Sequence, residues 1–206
     1  MRAVAFDLPG SGWTPFAIEQ LGDVLCNFAD VFSKPKTDFG SCSLIPFEIS
    51  VPEGSAPVTS QPHRINPMLA KEVDVTLNQY LVAGLIQHLT SLYSSPLVVM
   101  LKKSGGVRIT VNYKKLNKIS RFSQLPIPRV DQVLDSLGKG RVFSLFDLVC
   151  SFHKIIAHKD TVPLTACCTP TGLYEWLVMP QGSSASSGWF VKVIKEVFKG
   201  ASTGTP

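Results

Sequence analysis

Apolar residues recur along this chain with two different periods, and their alternation predicts most of its elements. Ile18, Leu21, Leu25 and Phe28 fall at helical spacing, with Thr14 placed to cap a helix and Pro15 in its first turn. The strongest helical period runs from 66 to 90. Leu69, Val73, Leu77, Tyr80, Leu81 and Leu85 line one face behind an Asn66-Pro67 start, and Gly84 weakens the pattern locally. Two apolar runs, 97–101 and 107–113, then flank Lys102 to Gly106, where Gly105-Gly106 tolerates positive φ; this predicts a β-hairpin. A short helix follows, with Val130, Val133, Leu134 and Leu137 on its apolar side and Gly138 as its C-cap. Strand patterns occupy 142–147 and 153–157, and two further pieces, 164–168 and 173–179, meet in a hairpin at Thr171-Gly172. A last helix carries Phe190, Ile194 and Val197 or Phe198.

One of these strands raises a chemical question. In 142–147, Phe143, Leu145 and Asp147 share one side, while Val142, Ser144 and Phe146 share the other. A strand apolar on both faces is expected to be buried on both. A carboxylate there is costly unless it reaches the strand end or finds a partner. Asp147 is therefore the most informative acid in the chain, read either as a functional carboxylate or as a strand-end aspartate accepting backbone hydrogen bonds.

Charge sharpens the picture. The chain has 206 residues, 45% hydrophobic and 17% charged, with a net charge of +5, which suits a packed core rather than a disordered chain. No acid lies between Asp74 and Asp131, while Lys102, Lys103, Arg108, Lys114, Lys115, Lys118, Arg121 and Arg129 do. An unopposed basic stretch next to glycines and aromatics reads as a surface facing phosphates; the bland alternative is a solvated face. Cys26, Cys42, Cys150, Cys167 and Cys168 are odd in number and show no CxxC spacing, so neither a disulfide scaffold nor a zinc site follows, and buried thiols in a reducing compartment are the simplest reading. The start, "MRAVAFDLPGSGW", has no sustained apolar run of the kind a secretory leader needs, and no stretch approaches the length that spans a bilayer.

Taken in order, "TDFGSCSLIPFEI", the proline-rich lead over 46–62, "GLIQHLTSLYSSPLVVMLKKSGGVRITVNYKKLNKIS", "LPIPRVDQVLDSLGKGRVFSLFDL", "FHKI" and "GLYEWLVMPQG" resemble the reverse transcriptase domain of gypsy-type long-terminal-repeat retrotransposons. The likeness covers roughly residues 40–198. It implies an α+β fold: a partial right-hand polymerase, fingers plus an incomplete palm, with an antiparallel sheet and packed helices. Residues 1–45 would be a lead-in, 46–200 the partial polymerase domain and 201–206 a disordered tail.

The resemblance also implies roles. Lys103 and Arg108 match the fingers hairpin over the incoming nucleotide's phosphates. Asp147 matches the first catalytic and metal-binding carboxylate, and Phe152 the aromatic gate beneath the sugar. Gln181 and Gly182, in "MPQG", match the loop beside the nascent base pair and template; many gypsy-type relatives carry phenylalanine where Gln181 stands. The implied partners are an RNA template with a DNA primer or their hybrid duplex, deoxynucleoside triphosphates and the remainder of a Pol polyprotein. The implied cofactor is Mg²⁺ or Mn²⁺, weakly held here, and the expected setting is intracellular, cytoplasmic or nuclear, with no membrane.

The implied chemistry transfers a nucleotidyl group to a primer 3′-hydroxyl using two divalent ions. The family supplies two further aspartates from a later hairpin, yet this sequence has no adjacent acid pair, and after Asp147 only Asp160, Glu175 and Glu196 remain. The expectation is a domain truncated before that hairpin and inactive alone. Two alternatives remain, a non-catalytic nucleic-acid-binding remnant and a non-functional relic. Departures from the family pattern agree with this: Val149 and Ser151 in "DLVCSFHKI" stand for arginine and glycine, Leu164 for lysine and Cys167 for an aromatic, and Ala185, Ser186 and Ser187 occupy the region of an asparagine-alanine-proline turn. An aspartic protease is excluded because no Asp-Thr/Ser-Gly triplet occurs. "DFG" at 38–40 lacks a kinase's other motifs.

Overall fold

The computed structural model describes residues 14–33, 39–89, 91–103, 105–122, 127, 129–138 and 145–199. The chain divides into two compact units, Met1–Asp38 and Phe39–Pro206. The first contains α1 (Pro15–Asn27), where Thr14 Oγ1 accepts from Ala17 N–H at 3.2 Å, the cap its sequence predicts, and a 3-10 turn at Ala29–Val31. None of the residues of α1 is buried.

The second unit holds the core. Its five-stranded sheet runs in the order β2 (Ile86–His88), β7 (Leu173–Trp176), β6 (Cys167–Cys168), β3 (Ser95–Leu101), β4 (Val107–Val111). Neighbours are antiparallel except β3 and β6, which run parallel, so the sheet is mixed rather than antiparallel throughout. A separate parallel pair joins β1 (Cys42–Phe47) to β5 (Ile155–Ala157). The α+β class is as expected, with helices packed against a mixed sheet.

Local chemistry explains where elements start and stop. Helix α2 (Pro67–Val82) begins at Asn66, whose Oδ1 accepts from Met68 N–H at 3.0 Å. The expected helix over 66–90 is cut short at Gly84, whose φ of +68° takes the chain out of the helix and lets 86–88 become β2. Val73 and Leu77 sit in the core and Tyr80 packs beside it. In the predicted hairpin, β4 alternates as its sequence does: Val107, Ile109 and Val111 are buried while Arg108 faces out. Helix α3 (Lys114–Ile119) is anchored by buried Leu116.

The predicted short helix is present as α4 (Val130–Leu137) with Gly138 at its C-cap, its apolar side, Val130, Val133, Leu134 and Leu137, largely exposed. Two expectations are corrected. Of the strand predicted at 142–147, residues 142–144 lie outside the described residues. Residues 145–147 form no strand, and Leu145 is 98% exposed. A strand exists only within a ladder, and residues 145–147 join none of the described ladders. In α5 (Ser186–Val197) the fully buried positions are Ser186, Trp189 and Val193; Phe190 packs partly buried against the core, while Val197 and Phe198 are exposed. The predicted tail, 201–206, lies outside the described residues.

Cys167 and Cys168 are buried thiols as read from the sequence, whereas Cys26 and Cys150 are exposed. Burial pushes the Cys167 thiol up to about 12.

Leu77→Ala is expected to lower stability by about 2–5 kcal/mol, because a fully packed leucine is emptied. On the same helix, Val82→Ala at a 91% exposed position should change it by less than about 0.5 kcal/mol. Urea denaturation of both variants measures the contrast.

Candidate nucleic-acid interface

The basic stretch becomes a surface through one hairpin and one helix. Across β3 and β4, Leu101 pairs with Val107 and Met100 with Arg108, which leaves Lys102 and Lys103 at the tip. The turn is closed by Lys102 N–H donating to Gly106 O at 2.9 Å, and Gly105 and Gly106 take φ of +81° and +85°. The chain then enters α3, where Lys114 and Lys118, four residues apart, share a face. Lys102, Lys103, Arg108, Lys114, Lys118 and Arg121 are exposed. Lys115 differs in donating to Thr59 O at 3.2 Å. Among the described residues the ion pairs are Arg129–Asp131, His158–Asp160 and Lys199–Glu196, so no cation of the hairpin or α3 is ion-paired, although the Glu72 carboxylate stands beside Gly106 at the hairpin turn. The charge imbalance in the sequence survives folding as a cationic face, with Glu72 the carboxylate beside its hairpin turn.

The loop Met179–Gly182 docks onto this face. Val111 N–H, at the end of β4, donates to Gln181 O at 3.2 Å. Asn117, on α3, donates from Nδ2 to Gly182 O at 3.1 Å and accepts from Ser184 N–H at 3.1 Å. Gly182 has φ of +111°, and a Cβ there would lie 2.0 Å from Val111 O, so this approach admits only glycine. Gln181 and Gly182 are thereby tied to the strand that carries Arg108. The sequence marked this loop but gave no sign of Asn117, since an asparagine among lysines looks like any solvated position.

Asp147 and Phe152 come from the segment that leads into β5. Asp147 lies exposed in the segment before a turn at Val149-Cys150. Cys150 has φ of +49°, a left-handed conformation that a side chain disfavours. A 3-10 turn, Ser151–Lys154, follows and splays its residues. Phe152 meets Phe190 of α5 edge to face at 5.6 Å between ring centroids. His153 points the other way, 4% exposed, with Trp176 at 5.0 Å, Tyr80 at 5.6 Å and Phe39 at 6.5 Å. Neither ring nitrogen of His153 has a hydrogen-bond partner, and burial holds its imidazole down at about 4. His153 thus acts as a neutral aromatic plug that fixes the turn bearing Phe152. Its sequence context, "FHKI", gave no indication of that.

The remaining acids do not gather around Asp147. Glu175 is fully buried in β7, where its carboxylate accepts from Gln87 Nε2 at 2.9 Å and Ser91 N–H at 3.0 Å. Asp160 pairs with His158 at 3.5 Å, and Glu196 pairs with Lys199 along α5. Among the described residues no group of three or more His, Cys, Asp or Glu side chains is arranged to hold a metal ion.

The sequence profile of the family described as Reverse transcriptase (RNA-dependent DNA polymerase) matches residues 100–204, just over half of the chain. The chain belongs to the reverse transcriptase family. Its relatives include the retrovirus-related Pol polyproteins from the Drosophila melanogaster transposons 297 and opus. The first is 32% identical over 150 residues, covering 70% of this chain and 14% of the relative; the second is 28% identical over 187 residues, covering 88% and 18%. The chain therefore spans less than a fifth of the length of these polyproteins and covers part of a reverse transcriptase domain. Among solved structures, a foamy viral protease-reverse transcriptase in complex with RNA/DNA hybrid superposes with a TM-score of 0.77 at 18% identity, over 91% of this chain and 25% of that one. A second, in complex with dsDNA, gives 0.74 at 19% identity, over 92% and 40%. These likenesses establish the reverse transcriptase fold.

Two outcomes follow from this geometry. An ordinary histidine titrates near pH 6.5, whereas buried His153 titrates near 4. Between those values the unfolded chain binds a proton that the folded one refuses. The His153 contribution is therefore complete above about pH 6.5 and declines as pH falls toward 4, by about 1.4 kcal/mol per pH unit. The stability difference between wild type and His153→Phe, measured by urea denaturation from pH 4 to 8, should carry that slope. Gly182→Ala should destabilise the fold by about 1–3 kcal/mol, since its Cβ meets a backbone carbonyl that cannot step aside; thermal unfolding measures it.

Proposed function

We propose that this chain forms the fingers and part of the palm of an RNA-directed DNA polymerase, grips a template–primer duplex by its cationic face, and does not extend primers by itself. The observation that carries this reading is the basic surface of the β3–β4 hairpin and α3, none of whose described cations is ion-paired, with the Gln181–Gly182 loop hydrogen-bonded to both. Phosphates of a hybrid duplex would meet Lys114, Lys118 and Arg121. The triphosphate of an incoming nucleotide would meet Lys103 and Arg108, where charge-assisted hydrogen bonds are strongest. Phe152 would lie beneath the nucleotide sugar, its ring held by Phe190. The reading draws support from a relative in complex with RNA/DNA hybrid.

Catalysis is a separate matter. Two-metal nucleotidyl transfer needs several carboxylates around paired ions. Here Asp147 is exposed, no group of acids among the described residues is arranged to hold a metal ion, Glu175 is engaged inside β7, and the sequence holds no adjacent acid pair. A lone carboxylate would hold Mg²⁺ or Mn²⁺ only weakly, with phosphate oxygens and water completing the shell. The residues present do not fit a two-metal centre, so no catalytic step is assigned to this polypeptide.

Fluorescence anisotropy with a labelled RNA·DNA hybrid tests the grip. Affinity should fall steeply between 50 and 200 mM salt, on the order of a hundredfold or more. Replacing Lys114, Lys118 and Arg121 together by alanine should weaken binding and flatten the salt slope by about 1 per lost contact. Salt-insensitive or absent binding would refute the reading. Primer extension by wild type, abolished in Asp147→Asn, would refute the claim of inactivity.

A further inference from the structure

Three consecutive carbonyls in the loop before α5 are each taken by a different element. Ser186 Oγ, at the start of α5, donates to Pro180 O at 2.9 Å. Val111 N–H, at the end of β4, donates to Gln181 O at 3.2 Å. Asn117 Nδ2, on α3, donates to Gly182 O at 3.1 Å. The first two holds are a buried hydroxyl and a main-chain amide. The third is a side chain that also accepts from Ser184 N–H at 3.1 Å.

The Asn117 carboxamide is matched to the loop in one orientation. With the amide turned over, its NH₂ would face the Ser184 N–H and its oxygen would face the Gly182 carbonyl, and both contacts would become repulsive. The backbone beneath is fixed as well: Asn117 N–H donates to Tyr113 O at 2.7 Å, and neighbouring Leu116 is buried. Asn117 lies between Lys114 and Lys118, so the residue gripping the loop sits within the cationic face itself.

We propose that Asn117 is a positioning residue: it locks the Gln181 loop to the basic helix α3, so that Gln181 is presented to a bound duplex in one register with the cations that hold its phosphates. The proposal rests on the duplex-binding reading above and adds a specific residue and a mode of action. Loss of the lock would leave the lysines in place but let Gln181 drift relative to them. A second element, β4, would still hold Gln181 O, so the loop would loosen without the domain unfolding.

Two measurements on the full chain test this independently. The first is hydrogen exchange of the Ser184 amide in the free protein. Asn117→Ala should speed it about tenfold, as expected for one lost hydrogen bond, while core amides such as that of Ile109 keep their protection. Unchanged Ser184 exchange would overturn the lock. The second is a double-mutant cycle of Asn117→Ala with Gln181→Ala, read as hybrid Kd at fixed salt. Asn117→Ala should weaken binding about three- to tenfold, the Gln181→Ala loss should shrink in the Asn117→Ala background, and the salt slope should stay that of wild type. A merely structural role predicts additive losses, which would overturn the proposal. Wild type that fails to bind hybrid would overturn the functional reading, and with it the role given to Gln181. The exchange arm would still decide whether Asn117 holds the loop.

Discussion

The close approach of Gly182 to the end of β4 is the constraint on which the candidate interface depends. A backbone with φ of +111° and room for no Cβ brings the loop against Val111 O. Only at that distance can Val111 N–H reach Gln181 O and Asn117 span from Gly182 to Ser184. The loop in turn sets where α5 starts, because Ser186 takes Pro180 O before the helix begins. From α5, Phe190 reaches Phe152. One glycine contact thus links the strand bearing Arg108, the basic helix and the aromatic candidate for the nucleotide sugar.

The second anchor is apolar and unusual in its chemistry. His153 fills a site among Trp176, Tyr80 and Phe39 with no hydrogen bond to either nitrogen. Leaving both nitrogens dry costs free energy, and the ring faces around it offset part of that cost. The neutral ring packs as an aromatic residue would, and it holds the 3-10 turn on which Phe152 stands. The two anchors act on opposite sides of Phe152, one through α5 and one through its own turn.

The cationic face and the acids differ in how they depend on neighbours. Lysines at a hairpin tip and on an exposed helix need only solvent around them, so they form a surface wherever the backbone places them. A metal-binding carboxylate needs other carboxylates brought close by folding. Asp147 has no such company among the described residues, and the apolar residues beside it, Leu145 and Phe146, face solvent. Among the described residues the basic side chains form a surface, whereas no carboxylates converge to hold a metal ion.

Local and periodic features were legible from the sequence. The caps at Thr14 and Asn66, the Gly105-Gly106 hairpin, the inward alternation of Val107, Ile109 and Val111, and the acid-free basic stretch all follow from residues near one another in the chain. Family motifs located the Met179–Gly182 loop by its order among other segments. Features that depend on distant partners were not legible. The strand read at 142–147 had the right composition, but residues 145–147 join no ladder among the described residues, and a strand exists only in a ladder. The apolar side of α4 has the right period yet stays largely exposed. Asn117 and His153 carry no local sign of their roles, because what each does is defined by residues far away in sequence: Gly182 and Ser184 for one, Phe39, Tyr80 and Trp176 for the other. Short-range chemistry wrote the elements and the charge; only tertiary contact decided which of them meet.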